Sequence, residues 1–195
     1  RLAKAGEYRD NDTNGHVQRM ADTARVIAAA LGCDDDYCEV IERAAPMHDI
    51  GKIGVPDSIL LKPGVLDAGE REIMMQHTQI GYEILRDSPS QYLQFGATIA
   101  WCHHERYDGA GYPRGLGGDE IPLEARIVAI ADVFDALMSE RPYKRAWTLQ
   151  RTLELIRSEA GRHFDPDCVA AMMDSIDAIT ATRGAAVLPG ESLVG

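Results

Sequence analysis

The chain has 195 residues and is 45% hydrophobic, enough to bury one sizeable core and short for two, so a single domain is expected. Its formal charge of -11 excludes a broad surface for polymeric nucleic acid or anionic membrane, since such surfaces need basic stripes that release counterions. The chain contains no apolar run long enough to span a bilayer and no signal-peptide pattern, so membrane insertion and secretion are not expected. Cys33, Cys38, Cys102 and Cys168 form no C-x-x-C pair, which reads as reduced, cytoplasmic cysteine usage.

Apolar residues recur at helical spacing along most of the chain, and no segment has a convincing period of two, so the class is all-α with about seven helices. The first is expected near 16–31, where His16, Met20, Ala24 and Ile27 share one face. The second, near 37–48, repeats the spacing with Ile41, Ala45 and His48. A loop follows over 49–69. The third helix, near 70–86, carries Ile73, His77, Ile80 and Ile84 as an apolar stripe, which predicts an inward His77. The fourth, near 92–104, ends on the adjacent pair His103 and His104, and a second Gly- and Pro-punctuated loop spans 105–121. Connections of this length in a compact helical domain are usually functional or disordered.

The fifth helix, near 122–139, contains Ile127 through Met138, a run that is apolar nearly all round except at Asp132 and Asp135. Buried carboxylates need partners, and a metal or a ligating histidine is the natural one for at least one of this pair. Asp135 is the better candidate for a salt bridge, with Arg126 or another basic residue. Further helices are expected near 148–160 and 166–180, the latter started by Asp165 as N-cap with Pro166 in the first turn. Residues 181–195 read as a loosely tied tail after a domain covering 1–180.

A lone histidine on an apolar face is more often a satisfied core residue than a ligand. Three on three helices, together with the pair His103 and His104, place five of the six histidines in one inward set and reverse that preference. His48-Asp49 runs into Ile50-Gly51-Lys52-Ile53-Gly54, a turn expected to leave Asp49 and Lys52 facing one cavity. Imidazoles mixed with carboxylates suit iron, manganese, nickel or zinc rather than magnesium or calcium, with iron or manganese preferred here. The candidates outnumber the ligands of a single ion, so two or possibly three divalent transition-metal ions are expected, with Asp49 placed to bridge.

Taken together, these residues resemble the HD-GYP group of the HD superfamily of metal-dependent phosphohydrolases. The resemblance rests on His48-Asp49, Pro56 through Gly64, His103-His104-Glu105, Asp108-Gly109-Ala110-Gly111-Tyr112-Pro113 and Arg141-Pro142-Tyr143-Lys144, and it covers roughly 8–175. It implies an all-helical bundle that hydrolyses cyclic di-GMP to the linear dinucleotide or to GMP by way of a metal-activated water. By position it makes His16, His48, Asp49 and Asp132 ligands, and adds His77, His103 and His104 for a second ion. Asp12 stands where relatives with three metals carry glutamate.

Lys52 is then placed to stabilise charge on the phosphate, acting with Asp49 in catalysis. Arg141 and Lys144 contact substrate phosphates or guanine edges, and Tyr112 and Arg114 line the pocket mouth. The resemblance also implies a contact between the Gly111-Tyr112-Pro113 loop and a diguanylate cyclase domain, and a regulatory domain upstream of Arg1. Two alternatives stay open: a non-catalytic cyclic di-GMP sensor, and a one-metal nucleotide phosphohydrolase that leaves His77, His103 and His104 idle.

Overall fold

The computed structural model describes residues 15–140 and 145–185. Among them there is no β-strand, only two isolated bridges, Asp108 with Gly117 and Ala160 with Phe164. No helix among the described residues is long and apolar enough to cross a membrane. In chain order the helices are α1 (His16–Ala30), α2 (Asp35–Ala44), the short α3 (Asp57–Leu60), α4 (Ala68–Met75), α5 (His77–Leu85), α6 (Gln91–Cys102), α7 (Leu123–Met138), α8 (Leu149–Ser158), α9 (Pro166–Asp174) and α10 (Ile176–Ala185). Tight 3-10 turns occupy Ala45–Met47, Ile50–Gly54 and Gly118–Glu120.

The almost wholly apolar α7 is the axis of the bundle. It packs against α1, α6, α8 and α9, and its Ile127, Val128, Ile130, Ala131 and Phe134 are fully buried. On the far side, α2 packs against α1 and α6, and α5 lies along α6. A helix without a polar face can only be accommodated at the centre, where neighbours cover it from all sides.

Three sequence expectations are corrected. The helix placed at 37–48 ends at Ala44, because Pro46 has no N–H to continue the ladder and the chain tightens into a 3-10 turn that carries it to His48. The helix placed at 70–86 is two, α4 and α5, parted at Gln76, and α4 starts earlier than expected behind a capping box between Asp67 and Glu70. The segment placed at 166–180 is likewise α9 and α10, the latter running on to Ala185.

The stripe argument for the third helix also fails in part. Ile73 is 38% exposed and Ile84 47% exposed, while the buried face of α5 is His77, Thr78, Gly81 and Leu85. His77 does point inward, but with small neighbours rather than with the isoleucines. The break at Gln76 separates Ile73 from the helix of His77, and within that helix Gly81 leaves room for the 49–69 segment to lie on its His77 side rather than on the side of Ile84.

That segment is not an open loop. It folds into the Ile50–Gly54 turn and α3, and the turn is pressed onto α5. A Cβ on Gly51 would stand 1.9 Å from the carbonyl oxygen of His77 and 2.5 Å from the Gly81 nitrogen, so only glycine permits this approach. Gly51→Ala is expected to force the turn off α5. Thermal denaturation should show a loss of at least ~1–3 kcal/mol, and metal uptake should fall with it.

Candidate metal centre

Five backbone positions deliver the clustered side chains. His16 opens α1, His48 and Asp49 follow the Ala45–Met47 turn, His77 opens α5, His103 and His104 close α6, and Asp132 lies on α7. Two groups of potential ligands result, Asp49 with His77, His103 and His104, and His16 with His48 and Asp132. Within each group the ligand atoms lie within 4.8 Å of one another.

Asp49 faces both groups. Its Oδ1 is 3.3 Å from His77 Nε2 and 3.7 Å from His103 Nε2, and its Oδ2 is 3.2 Å from His48 Nε2. His16 Nε2 lies 3.5 Å from Asp132 Oδ1. Lys52 Nζ is 2.7 Å from Asp49 Oδ2, so the turn brings the lysine and the aspartate together as an ion pair.

The imidazoles are locked from behind. The Nδ1 of His48 donates to Ala45 O at 3.1 Å, that of His77 to Met74 O at 2.8 Å, and that of His103 to Ile99 O at 3.0 Å. A carbonyl only accepts, so each Nδ1 carries the hydrogen and each Nε2 presents its lone pair to the cluster. Among the described residues, His48 Nε2, His77 Nε2, His103 Nε2 and Asp49 Oδ1 have no hydrogen-bond partner although buried. Lone pairs converging in a dry site repel unless a cation lies between them. The donor set therefore fits divalent metal: mixed nitrogen and oxygen ligands with the second ring nitrogen anchored.

His104 is held differently, its ring stacked on Tyr112 with centroids 4.7 Å apart. Tyr112 N also donates to His104 O at 3.2 Å. The 105–121 segment that carries Tyr112 is tied down by Glu105, a buried carboxylate accepting Arg114 N at 2.8 Å and Leu116 N at 3.1 Å. Gly111 makes the fold-back possible, since a Cβ there would stand 2.3 Å from Arg106 N. Arg114 places its guanidinium over the Trp101 ring, 4.6 Å from the centroid. Asp12, Arg141 and Lys144 lie outside the described residues.

Two residues of the site were not read from the sequence. Glu105 stood in the quoted motif without a role, and its signal was its position directly after two ligand histidines and ahead of a glycine-rich loop. For Asp135 the sequence predicts a salt bridge with Arg126 or another basic residue; Arg126 bonds Asp165 at 2.6 Å and Asp119 at 2.9 Å, so the basic partner is another one, Arg19. Asp135 receives His16 Nδ1 and Arg19.

A family model described as "HD domain" matches residues 7–168. The cyclic di-GMP phosphodiesterase response regulator RpfG of Xanthomonas campestris pv. campestris is 54% identical over 173 residues, covering 89% of this chain and 46% of that protein. The 3'3'-cGAMP-specific phosphodiesterase 2 of Vibrio cholerae is 45% identical over 182 residues, covering 93% of this chain and 35% of that protein. Among solved structures, a V. cholerae cyclic GMP-AMP specific phosphodiesterase, V-cGAP3, superposes with a TM-score of 0.68 at 18% identity, over 92% of this chain and 48% of that one. The chain belongs to the HD-domain family, and its motifs are those of the HD-GYP group. It spans about half the length, or less, of the curated relatives it matches.

Electrostatics divides the two groups. Burial, together with the neighbouring histidines, holds His103 well below its ordinary value and His104 at about 4; burial also lowers His77. Burial would lower His16 as well, but its bonds to Asp132 and Asp135 outweigh that and raise it to about 10. His48 is raised against its burial by Asp49. Asp49 itself stays well below the carboxylate range, because Lys52 and His48 overcome its burial.

At neutral pH His77, His103 and His104 are thus neutral and ready to ligate, whereas His16 favours a proton that an arriving ion must displace. Mn2+ titrations of chelator-treated protein in buffers from about pH 6 to about pH 9 should show one ion binding more tightly as pH rises, with proton release, and another nearly indifferent. In the metal-free protein the raised His16 contributes stability that is full below 6.5 and lost as pH climbs through about 10. His104 contributes stability above 6.5 that is lost as pH falls toward about 4. Melting temperatures of the stripped protein should therefore peak between those limits.

Proposed function

We propose that this chain is the catalytic domain of a metal-dependent phosphodiesterase that hydrolyses cyclic di-GMP. The observation that carries the reading is the convergence of unpartnered, buried Nε2 and Oδ1 atoms in two groups joined by Asp49. A one-metal site has no use for His77, His103 and His104 in the same cluster. The similarity to RpfG supplies the substrate class.

His16, His48, Asp49 and Asp132 would hold one divalent ion, iron or manganese, and Asp49, His77, His103 and His104 a second. Such ions, when bound, supply Lewis acidity toward a phosphate and lower the pKa of a coordinated water. The chain's own residues do the remainder. Asp49 stays ionised, with one oxygen toward each group, and would serve both ions. Lys52 Nζ, held 2.7 Å from Asp49, presents its charge where a scissile phosphate would lie and offsets the negative charge that develops there. Tyr112 offers a ring edge beside the cluster that can flank a guanine, and keeps His104 in place from its other side. Arg141 and Lys144 extend the same reading to the outer phosphate. The four cysteines stand as free thiols, which accords with a reducing, cytoplasmic setting.

A second reading concerns the base. The 45% identical relative named as specific for 3'3'-cGAMP makes that mixed dinucleotide the competing substrate.

The test is anaerobic turnover of cyclic di-GMP and 3'3'-cGAMP by the iron- or manganese-loaded protein, with products separated chromatographically. Hydrolysis of cyclic di-GMP at the higher kcat/KM supports the first reading, preference for the mixed dinucleotide supports the second, and binding without turnover across metals would sink both. Asp49→Ala should lose bound metal and hydrolysis together. Lys52→Ala should retain metal and lower kcat about 10²–10³-fold.

A further inference from the structure

Three of the clustered histidines anchor Nδ1 on a carbonyl of their own local turn. His16 is anchored on a charge. Its Nδ1 donates to Asp135 Oδ2 at 2.5 Å, and the Asp135 side chain is 0% exposed. That carboxylate is gripped in turn: Arg19 Nε donates to Oδ1 at 2.9 Å, Arg19 Nη2 to Oδ2 at 3.1 Å, and Ser139 Oγ to Oδ2 at 3.1 Å. Arg19 Nη2 also donates to Ser139 Oγ at 3.0 Å, which closes the network. On the opposite side of the ring, Nε2 faces Asp132. Two carboxylates three residues apart on α7 thus hold one imidazole, Asp132 beside its metal-facing nitrogen and Asp135 behind it.

We infer that Asp135 is a positioning residue: through His16 it fixes the tautomer, orientation and donor strength that the His16–His48–Asp132 group offers a divalent ion, with Arg19 and Ser139 holding it in register. The inference rests on the metal-centre reading above. A carboxylate behind an imidazole makes the far nitrogen a stronger donor than a carbonyl does, because the full negative charge stabilises the positive charge that coordination draws onto the ring. Salt-bridging alone would explain a carboxylate turned toward Arg19, but it does not require the His16 bond, the shortest in the network.

The same contacts could serve only to clamp α1 to α7, and the experiment separates the two roles. The whole chain is stripped with chelator and titrated with Mn2+ alone, following free Mn2+ by electron paramagnetic resonance; melting of the metal-free protein is measured alongside. Wild type should bind in two steps. In Asp135→Asn, which preserves shape and removes charge, one step should weaken about 10–100-fold while the other is unchanged. His104→Ala, which removes a ligand of the other group, assigns the steps by weakening the one that Asp135→Asn spares.

Wild-type affinity for both ions in a folded Asp135→Asn protein overturns the inference and leaves the metal centre intact. Equal weakening of both steps with a fall in metal-free melting temperature overturns it in favour of the clamp. A wild-type chain that binds no Mn2+ overturns the metal-centre reading and this one with it. Should Asp135→Asn not fold, Ser139→Ala decides, since it deletes one bond to the carboxylate: a smaller loss at the same single step supports the inference, and no change at either step overturns it.

Discussion

Near the middle of the bundle, His48 Nε2, His77 Nε2, His103 Nε2 and Asp49 Oδ1 are withdrawn from water and meet no hydrogen-bond donor among the described residues. Burying such acceptors without a partner costs on the order of 1–3 kcal/mol each, so a fold that gathers several is tolerable only if something else satisfies them. Much of the rest of the structure answers to that constraint. His48, His77 and His103 arrive from different helices or turns, each with its Nδ1 anchored on a local carbonyl, Lys52 supplies positive charge that keeps Asp49 ionised, and Arg19 pairs with Asp135. The site is thus rigid in its nitrogens and incomplete in its charge, the condition under which divalent metal binding and folding reinforce each other.

Precision of this kind depends on backbone features with little chemistry of their own. Pro46 ends α2 one turn before the histidine, and the tight turn that follows sets His48 in one ligand group and Asp49 between the two. Gly51 lets the following turn sit against α5 at a distance that no other residue permits, bringing Asp49 within reach of His77. Gly111 and Glu105 do the equivalent on the other side, folding a long segment back so that Tyr112 lies on His104. Segments that look like loops in the sequence serve as scaffolding, and their glycines and prolines mark close approaches rather than slackness.

The two ligand groups are alike in residue type and unlike in electrostatics. His77, His103 and His104 lie where burial dominates and keeps them neutral, while His16 and His48 are flanked by carboxylates that favour a proton. One group therefore offers neutral imidazoles beside an ionised Asp49, and in the other a divalent ion would compete with a proton on His16. Asp49 couples them through its two oxygens, so occupancy of either position changes the charge felt at the other.

The sequence by itself determined the helical class, the central apolar α7 and the residues of the cluster, because these follow from local composition and from the scarcity of reasons to bury five histidines and two aspartates together. The capping box at Asp67 and Glu70 and the proline at Pro46 were also legible, and taking them into account would have set the ends of α2 and α4. Tertiary structure alone decided the rest. Ile73 lies on α4, parted from His77 at Gln76, and Ile84 shares α5 with His77 but is left exposed because the neighbours pack on the His77, Thr78, Gly81 and Leu85 side of that helix. Of the basic partners the sequence leaves open for Asp135, Arg19 is the one, with His16 beside it, because α1, distant in sequence, crosses α7 at that level, and no local pattern encodes which helix lies across another. Which oxygen of Asp49 faces which group is likewise a matter of packing: spacing places a residue on an element, but only the docking of elements aims an atom.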